Sequence, residues 1–314
     1  TDIASLRASP SWGQVEVTLR ALDVCSDLEE LLRAQLGVHA APLSPVISTI
    51  VNILNCDRWC AEGYMPTHVL GHSIGEVAAA YAAGMLSLRD ALQTSVTLGR
   101  IGAQCSGAML HTKVPQLEVR KWPSGALAIA AINGFAELAA AEGQTNPLLG
   151  VSLCGPAAEV EERLLNDEAA KRLFPPHPWH HPMYMAVPGV ADGTAFSSIP
   201  LAKRRASAAV FISATRAEAA DELDAAYWRR WLTAPVDFAG ALQHFVATNP
   251  HLTSSRLCLI ETGPHNVLTT VAKQTLYCLG VRHVRSAASM KRGQVSSVRG
   301  LPPPPRPPPS PATP

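Results

Sequence analysis

The sequence predicts an α/β protein in which a serine lies at the turn between a strand and a helix. Residues 67–70 are a short apolar run typical of a buried strand, and the alanine-rich residues 76–83 are strong helix formers. Between them, Gly-His-Ser-Ile-Gly at positions 71–75 fits the Gly-x-Ser-x-Gly pattern of a nucleophile elbow, a sharp strand-to-helix turn that exposes a serine. Further along the chain, short strands alternate with helices.

The elbow pattern leads to two predictions about local structure. We expect both Gly71 and Gly75 to be needed, because residues without a Cβ let the strand and the helix pass close together. The first N–H groups of the helix point towards the oxygen of Ser73 and favour an anion there.

Composition and charge exclude several classes of protein. The chain has 314 residues, of which 47% are hydrophobic and 16% charged, so a large core can be buried. The formal net charge of +1 gives no reason to expect nucleic acid or an anionic membrane as a partner. No run of 18 apolar residues and no signal peptide is present, so we expect an intracellular, most simply cytoplasmic, protein. The start at Thr1 suggests a part of a longer chain.

The seven cysteines predict reduced thiols and no metal site. Their number is odd and they are scattered through apolar segments, as in intracellular proteins. Cys56 and Cys60 have no second cysteine or histidine pair at a zinc-like distance.

The order of predicted elements divides the chain into a large subdomain and an insertion. Residues 1–40 and 46–59 are predicted to be helical, as are residues 87–101. From residue 107 the order is strand, helix, strand, strand, helix, at 108–111, 115–121, 127–132, 151–154 and 157–165, with an elaborated surface segment over 133–150. This order is typical of a ferredoxin-like unit.

We therefore expect a small ferredoxin-like subdomain at 107–176, inserted into a large subdomain of α/β-hydrolase type that comprises residues 1–106 and 177–285. Residues 286–314 become basic and then proline-rich, so we expect a disordered linker or tail there.

Five sequence landmarks occur in an order that identifies a family. They are GHSIGE at 71–76, GAML at 107–110, AING at 131–134, HPWHHPM at 177–183, and LDAAYW at 223–228 followed by PVDF at 235–238 and GPH at 263–265. Over residues 5–293 the chain resembles the acyltransferase domains of modular polyketide synthases and fatty acid synthases, which are related to malonyl-CoA:acyl carrier protein transacylases.

The resemblance implies ping-pong acyl transfer without a bound cofactor. Ser73 would attack an acyl-CoA thioester and pass the acyl group to the phosphopantetheine thiol of an acyl carrier protein, next to ketosynthase domains of the same synthase. A serine hydroxyl needs a general base. The resemblance implies that this base is His180, oriented by a main-chain carbonyl, and that the N–H of Ile74 stabilises the oxyanion.

The same resemblance implies a set of substrate-binding residues. It comprises His72, Asn133, His177, Trp179, Leu98 and Arg100. Leu98 occupies the position of a family arginine that clamps the carboxylate of malonyl groups, and Arg100 matches the next basic residue. Leu98 predicts an apolar pocket for a monocarboxylic group, whereas His177 and Trp179 resemble the malonyl-type signature. The acyl group stays open at this point.

A second departure concerns the oxyanion site. The family begins with a buried strand and Gly-Gln-Gly, and nothing before Ser9 supplies that segment. We interpret Trp12-Gly13-Gln14 as a coincidental likeness. Loss of one oxyanion donor lowers turnover by about a hundred- to a thousandfold.

Three alternatives remain at the level of the sequence. The fold could serve an acyl hydrolase that removes stalled acyl groups, or a non-catalytic docking domain. It could also serve a serine esterase that uses an aspartate and His265 late in the chain. Arg229 and Arg230 could dock an acidic carrier protein, although a solvated basic face is the commoner role of such a pair.

Overall fold

The computed structural model describes residues 3–34, 40–122, 125–136, 146–205 and 208–290, and within them the chain is an α/β protein with mixed sheets. The helices are α1 (Ile3–Arg7), α2 (Trp12–Ala21), α3 (Leu28–Arg33), α4 (Leu43–Ala61), α5 (Gly75–Ala82), α6 (Leu88–Gly102), α7 (Gln116–Arg120), α8 (Ala157–Asn166), α9 (Ala225–Thr233), α10 (Phe238–Thr248) and α11 (Val267–Cys278). The strands are β1 (His68–Leu70), β2 (Ala108–Pro115), β3 (Ala128–Phe135), β4 (Leu148–Gly155), β5 (Lys171–Leu173), β6 (Ala202–Lys203), β7 (Val210–Ser213), β8 (Glu218–Ala219), β9 (Glu222–Leu223), β10 (Val236–Asp237), β11 (Leu257–Glu261) and β12 (Val284–Ala288).

A five-stranded sheet forms the middle of the chain. Its elements follow the order β2-α7-β3-β4-α8-β5, and β3, β4, β2 and β5 are antiparallel neighbours in that spatial order. Strand β10 adds to β3 in parallel and so joins this sheet to the rest of the chain. Helix α8 packs on β2 and β4 through a small apolar core that includes Leu110, Val151 and Val160.

Strands β3 and β4 are longer than predicted. Strand β3 extends to Phe135, which pairs with Leu149, and β4 already begins at Leu148. Two register shifts interrupt the pairing along β3. Asn and Gly are weak strand formers, so the pattern of side chains alone did not indicate pairing at Asn133 and Gly134. Part of the predicted surface segment, residues 137–145, lies outside the described residues.

The large part of the chain surrounds the elbow. Strand β1 pairs in parallel with β7, and β11 pairs in parallel with β12. Helices α4, α5 and α6 pack against one another and contribute to the largest apolar core, which includes Ile50, Leu54, Val77, Ala80, Leu92 and Val96. Among the described residues, no strand precedes β1.

The N-terminal region is helical as predicted, but it consists of three separate helices. Asp27 accepts a hydrogen bond from the N–H of Glu30 and starts α3 as its N-cap. Helix α4 begins at Leu43, so Pro45 lies in its first turn, where the missing N–H of proline has no intrahelical acceptor to lose. Residues 35–39 lie outside the described part of the chain.

The predicted boundary at residue 286 is wrong. It falls inside β12, which pairs with β11 over its whole length, from Leu257 opposite Val284 to Glu261 opposite Ala288. The small residues at 286–288 carry little hydrophobic signal, so the strand is specified by its partner rather than by its own pattern. The proline-rich residues 302–314 lie outside the described residues. None of the described helices is long and apolar enough to cross a membrane.

Only one of the two elbow glycines is sterically required. A Cβ on Gly71 would lie 2.3 Å from the backbone nitrogen of Glu76, which no side chain can displace. A Cβ on Gly75 would meet nothing within 4 Å, so the expectation that both glycines allow the close approach was wrong. Ser73 between them adopts a positive φ of 52°, the strained conformation expected at an elbow.

Glu76 anchors the elbow helix to the end of β7. Its carboxylate is fully buried and accepts hydrogen bonds from Ala214 N at 2.6 Å, Thr215 N at 3.1 Å and Thr215 Oγ1 at 2.6 Å. Burial raises the pKa of this carboxyl, and the hydrogen bonds from Thr215 oppose the shift. The first turn of α5 is thereby tied to the segment that leads towards α9.

We predict that Gly71→Ala destabilises the protein and that Gly75→Ala does not. The overlap at Gly71 must be relieved by moving backbone, which costs about 3 kcal/mol. Gly75 is the first residue of α5, where alanine changes the stability by less than about 1 kcal/mol. Chemical denaturation of the two variants measures the free energy of unfolding. Equal losses in both variants would contradict the steric role assigned to Gly71 alone.

Candidate active site

Ser73 and His180 form a hydrogen-bonded pair. Ser73 Oγ lies 2.7 Å from His180 Nε2, and both residues have a positive φ, 52° and 67°. Non-glycine residues in this region cost about 1–3 kcal/mol each, and such strain concentrates at functional sites. Only 2% of His180 is exposed. The fold therefore holds two strained residues, 107 positions apart in sequence, in direct contact.

A main-chain carbonyl orients the histidine. His180 Nδ1 lies 2.6 Å from the carbonyl oxygen of Trp231, which can only accept, so Nδ1 carries the proton. Nε2 is then the unprotonated nitrogen and accepts from the hydroxyl of Ser73. Burial lowers the pKa of His180 from 6.5 to about 4, against the opposing effect of the Trp231 hydrogen bond and with a further lowering from His72. At neutral pH the imidazole is an uncharged acceptor of the serine proton.

Trp231 contacts both members of the pair. Its carbonyl accepts from His180, and its indole Nε1 donates to the carbonyl oxygen of Ser73 at 3.0 Å. Its ring packs edge-on against His180 with the ring centroids 5.0 Å apart. This role cannot be predicted from the sequence, because Trp231 simply continues the buried aromatic face of α9 with Tyr227 and Trp228.

The start of α5 lies beside the serine. Ile74 is the N-cap residue of this helix and directly follows Ser73. The N–H groups of Gly75 and Glu76 donate to the carbonyls of His72 and Ser73 and so close the tight turn. The positive end of the helix dipole thus lies at the position where a negative charge would develop next to Ser73.

A small apolar cavity opens beside the serine. Its volume is about 130 Å³, and it is lined by Ser44, Pro45, Ser73, Ile74, Pro175, Trp179 and Trp231. None of these described lining residues carries a charge. The Trp179 indole packs directly over Gly102, where an added Cβ would lie only 1.9 Å from the ring. The backbone of α6 and the Trp179 ring thus fit together without any side chain between them.

Two further predicted residues connect the elbow to the five-stranded sheet. His72 Nε2 lies 2.8 Å from Asn133 Oδ1, and Asn133 Nδ2 donates to Ser152 Oγ at 3.3 Å. Burial lowers the pKa of His72, and the bond to Asn133 opposes this shift. These residues lie next to the pair but do not line the cavity beside Ser73.

The remaining predicted residues lie elsewhere. His177 is held by its Nδ1 on the carbonyl of Cys105 at 2.8 Å and by its Nε2, which accepts from Ala41 N at 3.0 Å. The Leu98 side chain is fully buried in the core, and Arg100 is exposed. None of the three lines the cavity. Arg100 follows Leu98 by two residues in α6 and so lies about 200° around the helix from it. Because Leu98 faces the core, Arg100 faces solvent.

Neither the alternative base nor a metal centre is found in the described part of the chain. His265 is exposed before α11, whereas His180 occupies the hydrogen-bonding position on Ser73. Within the described ranges no group of three or more His, Cys, Asp or Glu side chains could hold a metal ion. The contact between Ser73 Oγ and His180 Nε2 is an arrangement in which a neutral histidine can activate a serine as a general base.

The low pKa of His180 predicts that Ser73 stays reactive in acid. We expect the rate of labelling of Ser73 by a fluorophosphonate probe to fall to half its neutral value near pH 4, because His180 accepts a proton only there. Intact mass after timed labelling measures the rate, with Ser73→Ala as the control for specificity and circular dichroism to confirm folding. A midpoint near 6.5, the ordinary value for histidine, would contradict the assignment.

The indole of Trp231 is predicted to hold the elbow in its reactive geometry. Trp231→Phe keeps the carbonyl and removes the Nε1–H donor, so we expect the labelling rate to fall about tenfold with an unchanged pH midpoint. Trp228→Phe is the matched control, since Trp228 is on the same helix, is fully buried, and has an indole nitrogen without a hydrogen-bond partner. Equal losses in the two variants would show that only packing matters.

Comparison of the sequence with known families and proteins gives one consistent result. Residues 39–142 match the family model described as acyl transferase domain. Polyketide synthase GfsB of Streptomyces halstedii is 30% identical over 317 residues, which cover 88% of this chain and 5% of that protein. Highly reducing polyketide synthase cla2 of Cladosporium cladosporioides is 31% identical over 272 residues, covering 80% and 11%. The chain thus spans a small fraction of the relatives it matches.

Solved structures share the fold. The loading acyltransferase from the avermectin modular polyketide synthase aligns with a TM-score of 0.72 and 25% identity, over 93% of this chain and 88% of that chain. A malonyl-transacylase solved in complex with a type II polyketide synthase acyl-carrier protein aligns with a TM-score of 0.69 and 18% identity, over 92% and 91%. The family model, the polyketide synthase relatives and the common fold agree, and the chain therefore belongs to the acyl transferase domain family.

Proposed function

We propose that the chain transfers an acyl group from acyl-CoA, through an ester on Ser73, to the phosphopantetheine thiol of an acyl carrier protein. The observation that carries the proposal is the contact chain from Ser73 Oγ to His180 to the carbonyl of Trp231. These hydrogen-bonded residues lie beside a cavity that opens onto the serine. Membership of the acyl transferase domain family fits the same reaction.

The proposed reaction has two symmetrical halves. Ser73 Oγ attacks the thioester carbonyl carbon while His180 Nε2 takes the hydroxyl proton. The carbonyl oxygen becomes negative near the N–H of Ile74 and the start of α5. The intermediate collapses, the C–S bond breaks, and the leaving sulfur takes the proton from His180. The thiol of the carrier protein then gives its proton to His180 while its sulfur attacks the carbonyl carbon of the Ser73 ester. The Oγ–C ester bond breaks, Ser73 Oγ takes the proton from His180, and the carrier protein leaves with the acyl group as a thioester.

The acyl group that we propose is short and monocarboxylic. The cavity beside Ser73 is apolar, and its described lining includes no charged residue. A malonyl carboxylate in it would be buried without a partner, which is strongly unfavourable. Leu98 and Arg100 support this choice, because neither offers a cation to the cavity. If the N–H of Ile74 is the single hydrogen-bond donor to the oxyanion, turnover is about a hundred- to a thousandfold lower than with two donors.

The finer architecture is part of the proposal. We interpret residues 107–176 as a ferredoxin-like subdomain inserted into a large subdomain of α/β-hydrolase type. The strand order β3-β4-β2-β5 with both helices on one face supports this interpretation. The inserted sheet would form one wall of the site, through the contact between Asn133 and His72.

The proposed partners are an acyl carrier protein and neighbouring synthase domains, including a ketosynthase. The transacylase solved with its carrier protein supports the first, and the polyketide synthase relatives support the second. Arg229 and Arg230 are weaker docking candidates than the sequence alone indicates. Their guanidinium groups already donate to the carbonyls of Ala191 at 2.8 Å and Thr215 at 3.1 Å.

We predict that acetyl-CoA acylates Ser73 and that malonyl-CoA does so at least about tenfold more slowly, because the cavity leaves a second carboxylate unpaired. Intact-protein mass spectrometry after incubation with each donor measures the adduct, and Ser73→Ala is the control. Preferred malonyl labelling would contradict the proposed acyl group. Labelling from neither donor, repeated with butyryl-CoA and hexanoyl-CoA, would contradict the acyl-enzyme itself.

The transfer step has its own test. The acylated protein is mixed with a phosphopantetheinylated acyl carrier protein, and the masses of both proteins are followed. We expect the acyl group to move to the carrier protein faster than it appears as free acid. Release of free acid at the same rate with and without the carrier would identify a hydrolase instead.

A further inference from the structure

The sheet formed by β11 and β12 has an apolar face and an exposed face. Leu257 and Val284 are register partners, and both pack against the apolar core to which α10 and α11 contribute. Successive side chains of a strand point to opposite faces of the sheet, so Cys258 and Arg285 belong to the other face. These two residues are also register partners, and both are exposed.

Three basic residues lie on this exposed face. Arg256 and His283 directly precede the paired residues Leu257 and Val284, and the N–H of Leu257 donates to the carbonyl of His283 at 2.9 Å, so the pairing continues to them. By the same alternation, both residues share the face of Arg285. All three are exposed. We call Arg256, His283 and Arg285 the basic face.

Two arginine side chains of this region have identifiable neighbours. Burial raises the pKa of the Cys258 thiol, and the positive charge of Arg285 beside it opposes that shift. At the same end of β12, the guanidinium carbon of Arg282 lies 3.8 Å from the centroid of the Tyr277 ring. A guanidinium stacked on a ring still directs its N–H groups outwards in its own plane. Arg282 therefore adds a further cation at the edge of the basic face.

No acidic residue of the same stretch offsets these charges. Glu261 is the only acidic residue between positions 249 and 290. Its carboxylate accepts from the N–H groups of Leu268 and Thr269, at 3.0 and 2.8 Å, and so serves the start of α11. Within the described ranges no ion pair includes Arg256 or Arg285. The basic face thus presents positive charge that a partner can meet.

The spacing of the basic face fits an extended acidic segment. Neighbouring strands lie about 4.8 Å apart and residues two positions apart in one strand about 7 Å, so the Cα atoms of Arg256 and Arg285 are separated by about 8 Å. Carboxylates at alternate positions of an extended segment also lie about 7 Å apart, on one side of it. A guanidinium pairs with a carboxylate through two parallel hydrogen bonds. Successive carboxylates can therefore reach the two arginines at the same time.

The same region is poorly suited to a nucleic acid. Proteins that bind single strands combine positive charge with aromatic rings on which the bases stack. Between positions 249 and 290, Tyr277 is the only Phe, Tyr or Trp residue, and Arg282 covers its ring. A carboxylate partner needs no such ring.

We propose that the basic face docks an extended acidic segment of a partner protein, whose carboxylates at alternate positions pair with Arg256 and Arg285. None of the three residues of the basic face lines the cavity beside Ser73, and the contact does not depend on acyl transfer. Cys258 lies between the basic residues, so a bound segment would cover its thiol.

Fluorescence anisotropy measures the binding. The probe is a fluorescein-labelled peptide of eight residues with glutamate at every second position, and the comparison ligand is an oligonucleotide of five thymidines with the same charge. We expect Arg256→Ala/Arg285→Ala to weaken peptide binding about tenfold at low salt and less at high salt, because two exposed ion pairs are lost and salt screens such pairs. Arg89→Ala/Arg120→Ala is the matched control. It removes the same charge from exposed positions in α6 and α7.

Alkylation of Cys258 locates the bound peptide. Cys258 is exposed and Cys25 is half-buried, so the two thiols can be followed in one digest by mass spectrometry. At a peptide concentration of about twice the Kd, we expect the reaction of Cys258 with iodoacetamide to slow about threefold, because only the free protein reacts, and that of Cys25 to stay unchanged. Circular dichroism and chemical denaturation check the folding of each variant. If alanine lowers the stability, Arg256→Gln/Arg285→Gln replaces the double variant.

Each outcome decides the proposal. Weaker binding in the double variant, unchanged binding in its control and protection of Cys258 together support the basic face. It is overturned by an equal loss in the two double variants, by an unprotected Cys258, by tighter binding of the oligonucleotide, or by a peptide that does not bind. Acylation takes no part in these measurements. A protein that binds the peptide but never acylates Ser73 would therefore refute the proposed function while the basic face stands.

Discussion

The hydrogen bond between His180 and the carbonyl of Trp231 is the contact that the rest of the site depends on. A carbonyl oxygen can only accept, so it fixes the ring tautomer as firmly as a carboxylate would, but without adding a negative charge. Within the described ranges no ion pair involves this histidine, and burial keeps its pKa low. The result is an imidazole that is neutral over the whole physiological range. In its proposed role as the base, His180 would act through its orientation and its contact with Ser73 rather than through a high proton affinity.

That carbonyl is held in place by a set of linked contacts. Glu76 joins the start of α5 to the backbone of Ala214 and Thr215, and Arg230 donates to the carbonyl of Thr215 from α9. Helix α9 in turn carries Trp231, whose indole returns to the carbonyl of Ser73. Ser73, His180 and the carbonyl of Trp231 therefore belong to one closed ring of hydrogen bonds. A displacement of α9 would move all three together.

The helices and strands that could be predicted from the sequence are those that short-range residue patterns specify. The strand before Ser73, the alanine-rich helix after it and most of the strands and helices of residues 107–176 could be predicted, because hydrophobic periodicity and turn chemistry specify them. Strand β12 and the extension of β3 could not be, because their residues pair well only with a partner that is distant in sequence.

The residues of the candidate site also differ in whether the sequence predicts them. Ser73 and His180 are marked by short motifs, whereas Trp231 acts through a backbone oxygen and an indole N–H that leave no pattern in the sequence. Gly75 shows the opposite error. Its place in a motif suggested a steric need, and the structure leaves free space around it. A motif indicates which residues occur together, and only the fold determines which of them are in contact.

The packing of Trp179 on Gly102 places the control of cavity size outside the cavity. The indole forms a wall beside Ser73, yet the space it occupies exists only because α6 has no side chain at that point. Any larger residue at 102 would push the Trp179 indole away and change the shape of the cavity, although none of the residues that line the cavity is itself replaced. A substitution at this position of α6 can therefore change which acyl chain lengths fit, although residue 102 does not line the cavity. Related domains with identical lining residues can then differ in the length of the acyl group that they accept.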